Sequence, residues 1–213
     1  MRVVGVDGYR RGWVAVALAD GAAAGAAVFA TFRELVDTFA QAAVVAVDIP
    51  IGLPASGTRP AEDAARVYLR PRSSAVFTTP VRAALEARDY AAARAIAPTT
   101  SSQAYALGRK ILEVDAIAAA DERVYEVHPE VSFRALARRV LPPKKTWNGH
   151  NARRAALARA GIDLPGDLGG GGIAPPDDVL DAAAAAWSAD RIARDAASTL
   201  PPHDRRRIGP MWY

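Results

Sequence analysis

Two short apolar runs, each ending abruptly on an aspartate, constrain this chain most. "VVGVDG" covers residues 3–8 and "VVAVDIP" residues 44–50. Runs of this length, bounded by glycine or proline, read as buried strands. An acid at such a strand end is either a turn former or a ligand presented at the edge of a sheet. For Asp7, followed by Gly8, and for Asp48, followed by Ile-Pro, the turn reading suffices singly. A third run, "RVYEV" (123–127), carries Glu126, with Glu130 just beyond it. Three strands ending on carboxylates are less easily put down to turns.

The remaining pattern supplies the elements around these strands. Residues 2–7, 12–19 and 26–30 read as three strands punctuated by Gly21 and Gly25, hence an antiparallel meander. Residues 31–42 have helical spacing, with Thr31 as N-cap and Glu34 three positions on. Strand–strand–strand–helix–strand order predicts a mixed sheet flanked by helices. From about 51 to 122 the chain turns helical, starting with a Pro/Gly loop and then Pro60 in a helical first turn. This segment reads as a mostly helical insertion that covers the acid edge and brings Arg72 toward it. Pro129 opens a helix through about Val140, and Pro176 opens a strong final helix. "GGGG" at 169–172 lacks the Lys-Ser/Thr of a phosphate loop and reads as a hinge or disordered segment. With 213 residues, one domain spanning 1–213 is expected.

The final helix begins with Asp177, Asp178 and Asp181, and residues 178 and 181 share a helical face. Clustered carboxylates repel one another unless a cation sits among them. With no cysteine and three histidines, a zinc site of the thiolate or imidazole type is disfavoured. Hard ions such as Mg²⁺ or Mn²⁺ prefer oxygen, and a pair of them can drive phosphodiester cleavage. No apolar stretch approaches the ~18 residues of a membrane span. No secretory leader is evident at the N-terminus, so a cytoplasmic protein without a membrane role is expected. The net charge of +4 permits an anionic partner without requiring one.

Several blocks in this order ("GVDG…GW", "VDIPIGLP", "AARVYLRPRSSAVF", "EVHPEVSF", "KKT" and "DDVLDAAAAAW") resemble domain-of-unknown-function family 429. That family is described as predicted nucleases with an RNase H-like fold. The resemblance spans nearly the whole chain. It implies a five-stranded mixed sheet with helices on both sides. It also implies acids on the first strand, at the end of the fourth and on the last helix: Asp7, Asp48, and Asp178 or Asp181. These four are the expected metal ligands, and together with Glu126 the expected catalytic set.

Other groups fall around this centre. In "EVHPE", Glu126 or His128 could ligate a metal or activate water, or the two could simply pair to fix the turn. "RVYLRPRSSAVF" offers Arg72 and Ser73 as phosphate donors, with pairing to Glu62 and Asp63 as the structural alternative. Residues 138–154 hold six Lys/Arg, no acid, and Trp147. Such a stretch suits a nucleic-acid backbone plus base stacking, or is a solvated basic face. Within "KKT", Lys145 is the expected phosphate contact. The expected function is metal-dependent cleavage of DNA or RNA. An actin- or sugar-kinase-like phosphoryl transfer is the first alternative, although it normally needs two such domains. A non-catalytic binding protein is the second. Oligomeric state cannot be read from the sequence.

Overall fold

The computed structural model describes residues 1–213. Its strands are β1 (Arg2–Tyr9), β2 (Gly12–Ala19), β3 (Ala22–Phe29), β4 (Val44–Val47) and β5 (Val124–Glu126). They form one mixed sheet in the order β3-β2-β1-β4-β5. β1, β2 and β3 pair antiparallel as the expected meander, whereas β4 lies parallel to β1 and β5 parallel to β4. Nine helices flank it: α1 (Phe32–Thr38), α2 (Pro60–Tyr68), α3 (Arg82–Leu85), α4 (Tyr90–Ile96), α5 (Ser102–Ala106), α6 (Gly108–Ala120), α7 (Pro129–Ala137), α8 (Trp147–Arg159) and α9 (Pro176–Ala193). This mixed sheet with helices on both faces is consistent with an RNase H-like fold. Thr31 caps α1 as its spacing implies, accepting the backbone N–H of Glu34 at 3.1 Å. No helix is long and apolar enough to cross a membrane.

Side-chain parity sorts the sheet into two cores. Val3 on β1 and Val44 and Ala46 on β4 face α9, among Val14, Val16 and Leu18 of β2. Val4, Val6, Val45 and Val47 face the other way, toward Phe32 and Leu35 of α1 and Ile111 and Val114 of α6. Successive strand residues point to opposite faces, so Gly5 and Asp7 share Val3's side. Gly5 is required there. A Cβ on it would lie 1.9 Å from the backbone nitrogen of Ala186 and 2.2 Å from the carbonyl oxygen of Ala182. The alanine face of α9 therefore rests directly on the backbone of the central strand. Ala182 to Ala186 are all essentially inaccessible, and alanine loses no rotamer freedom on burial.

Several boundaries differ from the sequence expectation. β3 starts at Ala22 rather than 26: pairing with β2 continues past Gly25 to Ala22, with a register shift at Ala17/Leu18 that leaves Ala24 unpaired. α1 stops at Thr38 instead of running to 42, and α7 ends at Ala137, where Arg138 turns left-handed (φ 54). The four-glycine stretch is neither hinge nor disordered. It forms a short 3₁₀ turn, Gly169–Ile173, and Gly171 is buried so tightly that a Cβ would lie 2.5 Å from the Cβ of Ala26. Between β4 and β5 the chain contributes helices and loops but no strand. Near the C-terminus, β6 (Thr199–Leu200) and β7 (Met211–Trp212) form a small unforeseen ladder, and Trp212 bridges to Val127 beside β5.

Candidate active site

Parity and helical spacing bring the acids to one place. Asp7 projects from β1 on the α9 side. Asp48 follows β4 directly, and its backbone N–H donates to the carbonyl of Val6 at 3.0 Å, which holds it next to Asp7. Asp178 and Asp181 descend from the first turns of α9. All four line a cavity of about 400 Å³, together with Glu130, His128, Arg72 and Lys144.

The cavity is electrostatically overloaded with acid. Burial, then the charges of Asp48, Asp181 and Asp178, push the Asp7 carboxyl well above the ordinary range. Burial raises Asp48 to about 7, with Lys144 working against it and Glu130 and Asp178 adding to it. Burial likewise raises Asp181 to about 7, opposed chiefly by Lys144. Asp178 is raised as well, first by desolvation and then by Asp177. Carboxyls so displaced at the end of a cleft are the usual mark of a functional site.

Three of the polar partners are defined. Lys144 donates to Asp181 Oδ2 at 2.5 Å, and Asp181 Oδ1 is buried with no partner. Asp7 Oδ1 accepts the N–H of Gly8 at 2.6 Å. Glu130 is already engaged by Arg153, at 2.6 Å. The acids offer only oxygen, which suits a hard divalent cation, and the orphaned Asp181 Oδ1 has a lone pair to offer one. No three acid or imidazole side chains converge into a ready cage. A Mg²⁺ ion needs only one or two carboxylates, with water and substrate completing its shell, so the acids present fit such an ion.

The chain carries the sequence signature of a described group: the family model entitled "Protein of unknown function (DUF429)" matches residues 5–206. The chain belongs to this family. No curated protein and no solved structure matches it. The DUF429 match thus takes in β1, β4 and α9, the three elements that deliver the acids.

Other site expectations are placed differently. Glu126 stands apart from the acid cavity. It shares parity with Val124, which packs in the core opposite α9, so its carboxylate points away from Asp7. There it is buried and accepts both terminal nitrogens of Arg59, one at 3.0 Å, and the N–H of Ile51 at 2.7 Å. Both oxygens of Glu126 are thus engaged by protein donors, as in a structural ion pair. His128 lines the cavity but does not pair with Glu126; its Nε2 meets the carbonyl of Ala75 at 3.3 Å and Nδ1 is buried without a partner. Burial lowers its pKa, which favours the neutral ring, and the carbonyl partner favours the proton on Nε2.

Arg72 reaches the cavity, with one nitrogen spent on the carbonyl of Leu141 at 2.9 Å. Ser73 does not line it; its hydroxyl donates to the carbonyl of Arg66 at 2.9 Å and closes the end of α2. Of the two adjacent lysines it is Lys144 that enters the acid cluster. Lys145 is exposed in an adjoining groove with Trp147, His150 and Pro176. Lys144 and Asp178 border both hollows, so groove and cavity adjoin. Sequence reasoning missed Lys144 and gave Glu130 no place in the site.

Proposed function

We propose that this protein is a metal-dependent phosphodiester hydrolase acting on nucleic acid. That Asp7, Asp48, Asp178 and Asp181 all line one open cavity carries the reading. Asp7 and Asp48 would hold a Mg²⁺ or Mn²⁺ ion, with Asp181 Oδ1 and Asp178 at its margin. When bound, such an ion activates water and stabilises the departing oxygen. Lys144 and Arg72 are placed to neutralise a phosphate entering among the acids. Neutral His128 can accept a hydrogen bond at Nδ1 and so orient a polar group at the cavity wall.

The adjoining groove supports a polymeric substrate over a small phosphoester. Trp147 is the most exposed large apolar side chain, at 79%, and it lies beside Lys145 at the cavity's edge. An exposed indole next to an ammonium suits a base and its phosphate. The test is cleavage of a panel of DNA and RNA oligonucleotides with Mn²⁺, comparing wild type with Asp7→Asn. Wild-type cutting that falls at least ~100-fold in the variant, with an unchanged fold, is the expected result, since an interaction at the reacting centre is worth about 3 kcal/mol. No cutting of any substrate, together with a melting shift on Mg-ATP, would transfer the site to phosphoryl transfer.

A further inference from the structure

The loop that carries Lys144 is held carbonyl by carbonyl. Arg72 donates to Leu141 O at 2.9 Å, buried Arg153 donates to Pro142 O at 2.8 Å, and the Thr146 hydroxyl donates to Pro143 O at 2.8 Å. Gly149 seals the arrangement, because a Cβ there would lie 1.9 Å from Pro143 O. Three consecutive acceptors are thus fixed immediately before Lys144. An ordinary surface lysine has no such support; it samples many rotamers and stays hydrated. Lys144 instead keeps a side chain only 33% exposed and spends its ammonium on Asp181, a residue almost wholly buried. Its charge also acts on Asp7, Asp48 and Asp178.

We infer that Lys144 is a built-in cation that fills one of the two positive positions a four-acid centre would otherwise offer, so that the site takes a single divalent ion. The inference rests on the proposed metal dependence but not on nucleic-acid cleavage. Asp181 Oδ2 is committed to the ammonium, while its buried, unpartnered Oδ1 and the carboxylates of Asp7 and Asp48 remain for the ion. In place of a second exchangeable metal the chain supplies a tethered charge that cannot dissociate.

The measurement is Mn²⁺ binding to the full chain without nucleic acid, followed by calorimetry and by the manganese electron-spin resonance signal. Wild type and Lys144→Arg are expected to take one ion per chain, with the signal of an isolated Mn²⁺. Lys144→Gln is expected to take a second ion, with the broadened signal of a coupled pair, or to bind the first about tenfold or more tightly, since a repelling charge is gone. Should Lys144→Gln fail to fold, Thr146→Ala is read instead; it removes the hydroxyl's bond to Pro143 O and the cap that the hydroxyl gives the Gly149 N–H, loosens the loop while the Thr146 N–H still holds Pro143 O, and should shift affinity in the same direction. Two ions in the wild type, none at all, or identical binding in wild type and the loosened variant would each overturn the inference. Cleavage supported by two ions would overturn it while leaving the nuclease reading intact. One ion without cleavage of any substrate would do the reverse.

Discussion

Two buried acid clusters sit at neighbouring strand ends of the same sheet, and they are built on opposite terms. Around Glu126, Arg59 answers the carboxylate with two nitrogens, gives a third contact to Ile51 O at 3.0 Å, and stands 3.7 Å from Glu62. Glu62 in turn accepts the N–H of Thr79 at 3.1 Å. All three charged side chains are less than 5% exposed. Around Asp7, four carboxylates share one lysine and open onto a cavity. Burial of acid is common to both, so burial alone says nothing of function. What separates them is the charge balance: Arg59 and Arg66, the latter 3.6 Å from Glu62, match the two glutamates, whereas the four aspartates share one lysine and open onto a cavity.

The largest effect should come from breaking the completed cluster. Arg59→Met would strand Glu126 in the core and leave Glu62 to Arg66, 3.6 Å away, and removing one partner of a buried pair costs about 3–5 kcal/mol. Chemical denaturation should show that loss, or an unfolded product. Had the chain found another partner for Glu126, the cost would be small and the contrast between the clusters would collapse.

A matched pair of amide substitutions sharpens the comparison further. Glu126→Gln removes a charged acceptor from Arg59 and should destabilise by about 2–3 kcal/mol. Asp7→Asn makes the same chemical change in the overloaded cluster and should stabilise the metal-free protein, by up to about 1 kcal/mol. Melting curves in EDTA give both signs directly. Equal destabilisation by the two would mean that Asp7 is held as firmly as Glu126 and serves structure.

The groove gives a somewhat smaller effect, about 1–2 kcal/mol. Trp147→Ala should weaken binding of single-stranded oligonucleotides in EDTA by roughly 10-fold, the ordinary worth of a stacked base. Its melting temperature should hardly move, because the indole is exposed. Unchanged oligonucleotide affinity, read by fluorescence anisotropy, would remove Trp147 from the substrate path.

The smallest expected shift is with pH. Asp48 and Asp181 have folded-state values raised to about 7, and Asp7 is raised too. Between the unfolded carboxyl range near ~4 and about 7 the native state therefore holds more protons than the unfolded one. The contribution of these acids to the stability of the metal-free protein should be fully present below that range and be lost as pH rises through it, by a few degrees in melting temperature. Mn²⁺ should reverse the trend on the alkaline side. A metal-free melting temperature that climbs across the same interval would show that the acids are already neutralised.

Much of this was legible in the sequence where periodicity governs. Asp7 lies four residues after Val3 and Asp48 four after Val44, so period-2 alternation carries both to the face that α9 covers. Asp178 and Asp181 share a helical face by the 3.6 repeat. Glu126 shows how the same rule can be missed: its parity with Val124 sends it to the other core, and its partner Arg59 lies 67 residues away, where no local pattern could point. Loops have no period. Nothing in "KKT" distinguishes Lys144 from Lys145 until the carbonyls of 141–143 are seen to be pinned. The four glycines misled for a related reason, since a missing side chain signals close packing as readily as freedom.

The seat of α9 on Gly5 also has a consequence in time. β1 leaves the ribosome well before α9, yet the alanine face of α9 must settle on the bare backbone of β1 before Asp178 and Asp181 can stand over Asp7. Contacts so distant along the chain form late, because the loop between them must be closed before any packing rewards it. A nascent chain carrying Asp7 and Asp48 is therefore an incomplete centre throughout translation, without its helix acids and without the loop that bears Lys144. Assembly of the acid cavity is in this sense a checkpoint: the acid end of the sheet is finished only by the same event that finishes the fold.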